Sequence, residues 1–196
     1  MFKLGLTGSI ASGKSTVLKA FEALGVPAFS SDAAVHALYE GGRAVAPLAR
    51  LFPDVVHSGR IDRGRLGARL LQHPEAFRQV EAIVHPLVRD EIAGFLAKAE
   101  QKGARLAVVD VPLLFEGGYD HDFDAVAVTL VDDATLRARA LARPGMTVEK
   151  LDAILARQLP QAEKKRRADL VIDTGKPIRE TEEDVRRLVE QLGARH

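Results

Sequence analysis

The stretch Gly8-Ser9-Ile10-Ala11-Ser12-Gly13-Lys14-Ser15 limits what this chain can fold into more than any other feature. It follows an apolar run at residues 2–7 and opens a helical pattern at residues 15–24. Gly-x-x-x-x-Gly-Lys-Ser between a strand and a helix is the pattern of a P-loop. The glycines let the backbone curl so that successive N–H groups point inward. The helix N-terminus adds positive potential at the same place. Lys14 is then placed to bridge the β- and γ-phosphates of a nucleotide, and the Ser15 hydroxyl to ligate Mg²⁺. Residues 8–15 with Thr16 are the expected nucleotide contacts, and ATP with Mg²⁺ the expected cofactors.

Apolar or β-branched runs at residues 2–7, 26–30, 106–110, 125–130 and 170–172 read as strands. Most lack polar alternation, as strands buried on both faces of a parallel sheet do. Helical patterns separate them, which predicts an α/β fold with right-handed crossovers. The spacing is uneven. One crossover helix needs far less chain than lies between the second and third strands. A helical subdomain is therefore expected at 33–103. Within it, Pro74 reads as the first residue of a long helix, and Pro86 predicts a kink or break near His85. A second insertion, 132–168, is rich in Arg and Lys, and Pro144-Gly145 divides it into two helices. A basic helical hairpin beside a nucleotide site reads as a kinase lid. The expectation is a three-layer P-loop NTPase fold with a five-stranded parallel sheet, a helical substrate-binding insertion and a helical lid. The nucleotide core would comprise 1–32, 104–131 and 169–196.

Length and composition fit that plan. The chain has 196 residues, 46% hydrophobic and 28% charged, which suits one α/β core in a soluble protein. It has no cysteine, so disulfides, thiolate metal sites and cysteine nucleophiles are excluded. The apolar N-terminal run is too short for a signal or membrane segment. A soluble cytoplasmic protein, monomeric or weakly self-associating, is expected.

Several residues are candidates for chemistry. Asp110 ends the third strand, where an acid can hold the Mg²⁺ shell or cap a loop. Asp32 follows the second strand, at the sheet edge that faces ligands in doubly wound folds. It reads equally as a proton acceptor and as a helix N-cap. Arg139 and Arg143 are four apart and would share one helix face. They read either as neutralising charge on a transferred phosphoryl group or as a solvated basic face. Glu116, taken alone, reads as a surface charge. His85 is ambiguous.

Taken together and in order, these segments resemble the dephospho-coenzyme A kinases. The match is carried by residues 5–15, Asp32 with His36, Ile61-Asp62-Arg63 with Leu66, and Glu81-Ala82-Ile83-Val84-His85-Pro86-Leu87-Val88. It continues through Asp110-Val111-Pro112-Leu113-Leu114-Phe115-Glu116, Arg139 with Arg143, Arg157-Gln158-Leu159-Pro160 and Ala168-Asp169 with Val171-Ile172. The resemblance implies ATP-dependent phosphorylation of the ribose 3′-hydroxyl of dephospho-coenzyme A. It implies Asp32 as the catalytic carboxylate with Lys14 and Arg139, and Arg143 as a second lid arginine. It places Asp32, His85 and Leu114 at the acceptor. Two positions depart from the family pattern. Ser30 stands where the family has a first aspartate, and Pro144 follows Arg143 where the family has aspartate.

Other readings fare worse. A different small-molecule or nucleoside monophosphate kinase would differ only in the acceptor subdomain, and the His85-Pro86 segment favours the first reading. A regulatory GTPase would need Asn-Lys-x-Asp and an Asp-x-x-Gly after the third strand, and the chain has neither. A nucleic-acid binder is disfavoured by a net charge of +1, two tyrosines and no tryptophan. Lys14→Ala is expected to abolish ADP release in a coupled assay, because the γ-phosphate loses its charge partner; turnover near wild type would refute the kinase reading.

Overall fold

The structure, a computed structural model, describes residues 1–193. The end of the expected core range, 194–196, lies outside the described residues. In chain order the elements are β1 (Phe2–Gly8), α1 (Lys14–Ala23), β2 (Ala28–Ser30), α2 (Ser31–Tyr39), α3 (Val45–Leu51), β3 (Val56–His57), β4 (Arg60–Ile61), α4 (Arg63–Gln72) and α5 (Ala76–Gln101). They continue with β5 (Leu106–Asp110), β6 (Ala125–Leu130), α6 (Asp133–Leu141), α7 (Val148–Leu155), α8 (Gln161–Arg167), β7 (Leu170–Asp173) and α9 (Ile178–Gly193). The chain divides into two compact units, Met1–Phe29 with Leu96–His196, and Ser30–Phe95.

The first unit is built on the five-stranded sheet, in the order β2-β5-β1-β6-β7. β1 is central and pairs in parallel with β5 (Leu6 opposite Asp110) and with β6 (Gly8 opposite Thr129). β6 pairs in parallel with β7. The chain fills one side of β1 before crossing to the other, so the carboxyl end of β1 lies at the topological switch point, where such sheets bind ligands. Leu4, Leu6, Val108, Val109 and Val128 are all fully buried, which is why these strands lack polar alternation. On one face Leu4 and Leu6 pack with Val17 and Phe21 of α1 and Val185 of α9. On the other face, a Cβ at Gly5 would stand 2.8 Å from the Phe123 ring and 2.9 Å from Leu114 Cδ1. Glycine there lets both side chains lie directly on β1.

Residues 132–168 form three helices, where the sequence predicts two. Pro144-Gly145 separates α6 from α7 as expected. Pro160 then starts α8 as its N-cap residue, a further break in what read as one basic segment. α6 and α7 open on side-chain caps, Asp132 accepting from Thr135 N at 2.8 Å and Thr147 accepting from Lys150 N at 3.3 Å. The hydroxyl and backbone N–H of Thr135 hold the Asp132 carboxyl below its usual range.

The basic stretch also hides a buried charge. The Lys164 side chain is 0% exposed and meets Glu116 Oε1 at 2.8 Å, with Glu116 itself 14% exposed. Glu116 is therefore not the surface charge it resembles in sequence. Its Oε1 also accepts from Leu159 N at 2.7 Å, and Lys164 Nζ lies 3.4 Å from Pro112 O, which accepts from Thr7 Oγ1.

In the second unit a two-stranded antiparallel hairpin, β3–β4, lies between α3 and α4 in the chain, and α3 packs against β4. Its turn residues Ser58 (φ 49°) and Gly59 (φ 77°) both have positive φ, the backbone that a two-residue hairpin requires. Asp62 caps α4 by accepting from Arg65 N at 3.0 Å, and this bond holds its carboxyl below the usual range. α5 begins in this unit, and Val80, Val84, Val88 and Ile92 form its buried stripe at four-residue spacing. Two expectations are corrected here. The helix starts at Ala76, not Pro74, because a turn (Ala76 N to His73 O, 2.9 Å) precedes it. It also runs unbroken through Pro86. Ala82, whose carbonyl loses its donor to the proline, is exposed, so water can satisfy it. Among the described residues no helix is long and apolar enough to cross a membrane.

Lys164→Ala is expected to lower the unfolding free energy by about 3–5 kcal/mol in urea denaturation, because it leaves Glu116 buried without its counter-charge. Glu116→Gln combined with Lys164→Met should recover most of that loss; an unchanged midpoint for Lys164→Ala would show that the pair carries no stability.

Candidate active site

The P-loop leaves β1 at Gly8 and enters α1 at Lys14. Gly13 is the N-cap residue of α1 in the left-handed conformation (φ 84°). A Cβ there would meet Thr174 at 3.0 Å, and one at Gly8 would come within 2.5 Å of Ser12 Oγ and 2.9 Å of Thr129 O. Both glycines are thus required by what lies beneath the loop as well as by its curl. Two threonines fasten that underside. Ser12 Oγ and Thr129 Oγ1 are 2.6 Å apart, and Thr174 Oγ1 points its hydroxyl at Ser12 O (2.8 Å) and Leu130 O (2.9 Å). Lys14 Nζ donates to Gly8 O at 3.2 Å, across the mouth of the loop. Ser15 is exposed on the first turn of α1, with Thr16 beside it half-buried.

The tip of the loop is held by the 132–168 segment. Ala11 packs with Ala140 and Leu151, flanked by Ile10, Met146 and Leu155. Ile10 N donates to Gln158 Oε1 at 3.0 Å. Arg139 lies on α6, and its Nη2 donates to Thr174 O at 3.1 Å, the same residue that supports Ser12. The structure therefore brings Arg139 to the P-loop. Arg143 differs: α6 ends with Ala142 as its C-cap, and Arg143 stands in the following turn, exposed. The expectation that the two arginines share one helix face is corrected, because Pro144-Gly145 ends the helix before Arg143.

Asp110 is the last residue of β5 and is 6% exposed. Its register partner Leu6 lies two residues before the P-loop, which places the carboxylate at the same sheet edge. Among the described residues no group of three His, Cys, Asp or Glu side chains could hold a metal by itself. Mg²⁺ in phosphoryl-transfer sites takes most of its oxygens from phosphate and water, with one or two from protein. The Ser15 hydroxyl and Asp110 carboxylate match that oxygen donor set.

In the second unit, Ser30 resolves the ambiguity at Asp32. Ser30 is the N-cap of α2, its side chain accepting from Ala33 N at 3.3 Å. Asp32 is in the first turn with its carboxylate exposed, so capping does not use it. His85 is exposed on α5. Leu114 is fully buried with Cδ1 against Gly5, so it supports β1 from behind and presents no surface of its own.

Sequence reasoning missed Thr129 and Thr174, and gave Gln158 no role although its segment carries part of the resemblance. Thr129 carries a visible signal, as the one polar side chain in the apolar run 125–130. Thr174 sits in a loop and carries none.

A family model described as dephospho-CoA kinase matches residues 2–180. The dephospho-CoA kinase of Rhodopseudomonas palustris (strain BisB18) is 50% identical over 186 residues, covering 95% of this chain and 93% of that protein. The chain belongs to the dephospho-CoA kinase family. Among solved structures, TT1252 from Thermus thermophilus superposes with a TM-score of 0.84 at 31% identity, covering 97% of both chains. The dephospho-CoA kinase from Campylobacter jejuni shares the fold, with a TM-score of 0.72 at 24% identity over 98% of this chain and 97% of that one.

Arg139→Ala is expected to lower kcat by about 10²-fold or more, as loss of a charge stabiliser does, while leaving the thermal midpoint near wild type because the side chain is exposed. An unfolded variant would assign Arg139 a structural role through Thr174.

Proposed function

We propose that this dephospho-CoA kinase family member transfers the γ-phosphoryl group of ATP to the ribose 3′-hydroxyl of dephospho-coenzyme A, giving coenzyme A and ADP. The observation that carries this reading is the match to the family over residues 2–180, which takes in both the P-loop and the helical unit. A P-loop by itself would indicate only a nucleotide.

In this reading P-loop amides other than Ile10 N, which Gln158 engages, and the N-terminus of α1 hold the triphosphate. Lys14 exchanges its bond to Gly8 O for the β- and γ-phosphate oxygens. Asp32 accepts the proton of the 3′-hydroxyl as its oxygen bonds to the γ-phosphorus. The bond from that phosphorus to the β–γ bridging oxygen breaks, and ADP leaves. Arg139 and Arg143 offset the charge that spreads over the phosphoryl oxygens in transfer. Ser15 and Asp110 would supply protein oxygens to Mg²⁺, which when bound neutralises phosphate charge. His85 would contact the acceptor from α5. Residues 132–168 serve as lid and the second unit as acceptor subdomain. A cytoplasmic location goes with this chemistry.

The reading is tested by coupled ADP release with dephospho-coenzyme A, AMP, CMP and shikimate as rival acceptors. Turnover is expected only with the first, and comparable turnover of any other would overturn it. Asp32→Asn is expected to lower kcat by about 10²–10⁴-fold, the usual worth of a general base, with ATP affinity nearly unchanged; a collapse of ATP binding instead would make Asp32 chiefly a metal-site residue.

A further inference from the structure

Arg157-Gln158-Leu159-Pro160 is a motif for which the mechanism above has no use. Its geometry is nonetheless specific. Gln158 Oε1 accepts from Ile10 N at 3.0 Å, joining residues 148 apart in sequence. Because a backbone amide can only donate, the carboxamide must turn its oxygen to Ile10 and its NH₂ end away. Among the described residues that NH₂ end makes no hydrogen bond.

The next residue of the P-loop needs support. Ala11 has φ 58° without being glycine. A left-handed alanine costs about 1–2 kcal/mol and persists only where its surroundings hold it. The packing of Ala140 and Leu151 on Ala11 supplies part of that restraint. The hydrogen bond from Ile10 N to Gln158 fixes the Ser9–Ile10 peptide, one unit before the peptide that enters Ala11.

Gln158 is itself held in place. Leu159 N donates to Glu116 Oε1 at 2.7 Å, and Glu116 is paired with the fully buried Lys164 at 2.8 Å. The backbone that carries Gln158 is thereby tied to the loop following Asp110. This two-residue segment joins the P-loop to the acid-bearing loop.

We infer that Gln158 is a positioning residue for ATP: its carboxamide oxygen sets the Ser9–Ile10 peptide, just before the left-handed Ala11, in the phosphate-binding shape, and its free NH₂ end faces the anion that fills the loop. The inference rests on reading residues 8–15 as the ATP site. Leucine at 158 keeps the volume and loses both polar functions. Glutamate keeps the acceptor for Ile10 N and replaces the donor with negative charge.

The test is ATP titration without acceptor, then steady-state kinetics with ATP and dephospho-coenzyme A varied separately, on wild type, Gln158→Leu and Gln158→Glu. Gln158→Leu is expected to weaken ATP binding and raise its KM about tenfold, the worth of one net hydrogen bond, with the KM for dephospho-coenzyme A within about twofold of wild type. Gln158→Glu is expected to keep the wild-type thermal midpoint yet raise the KM for ATP, with the increase shrinking as pH falls into the carboxylate range and the side chain becomes neutral. ATP binding by Gln158→Leu as tight as wild type overturns the inference. So does a variant that only lowers the thermal midpoint while its folded fraction keeps the wild-type KM. If Gln158→Leu does not fold, a wild-type KM for ATP in Gln158→Glu overturns it. Wild type that binds no ATP would instead refute the kinase reading.

Discussion

A loop that turns its N–H groups toward an anion must have its carbonyls and hydroxyls satisfied somewhere else. In this chain that requirement organises the first unit. Ser12 is the residue where it is met, through Thr129 at the end of β6 and Thr174 just past β7. Both supporting strands lie to the same side of β1 in the sheet order. The loop therefore keeps its shape only if β6 and β7 are in register, and a buried polar group left unmatched there would cost about 1–3 kcal/mol. The sheet is as much a mount for the loop as a core.

The second dependence is electrostatic. A fully buried lysine is tolerated only with a partner close by, and Lys164 has one in Glu116. The pair joins α8, at the far end of the 132–168 segment, to the loop that follows Asp110. Arg139 makes the corresponding bond at the near end of that segment, through Thr174. Both ends of the arginine-rich segment are thus anchored to loops at the carboxyl edge of the sheet, and its apolar face lies on the P-loop tip. Its net positive character is mostly peripheral: Lys165, Arg166 and Arg167 are exposed, while Lys164 is not.

The parts legible in the sequence are those governed by local or periodic physics. The strands showed as continuous apolar runs because both their faces are covered. The P-loop showed because its glycines and lysine serve chemistry at fixed spacing. Val80, Val84 and Val88 stand at helical spacing in the sequence, and the structure adds Ile92 to their buried stripe. What stayed hidden depends on contacts distant in sequence. Nothing local marks Thr174 as the support of Ser12, or Lys164 as the one buried member of a basic run. Asp32 read equally as a base and as a cap, and only the backbone shows that Ser30 takes the capping role. Pro86 misled because an internal proline costs most where the carbonyl it orphans is buried, and Ala82 is exposed. The β3–β4 hairpin stayed hidden because it lies inside a region that read as helical.

The central place of β1 also bears on how the chain is made. Both its neighbours come much later: Phe2 pairs with Leu106, and Leu4 with Ala125. During synthesis at about 5–20 residues per second, β1 waits on the order of ten seconds before either partner leaves the ribosome. Throughout that interval an apolar strand followed by a glycine-rich loop has no sheet to join. The nucleotide site is then completed only when β5 and β6 have followed, long after the P-loop itself is translated. Folding of this chain is accordingly governed by long-range parallel pairing, the slow class of topology, and newly made β1 is the segment with most to gain from chaperone cover.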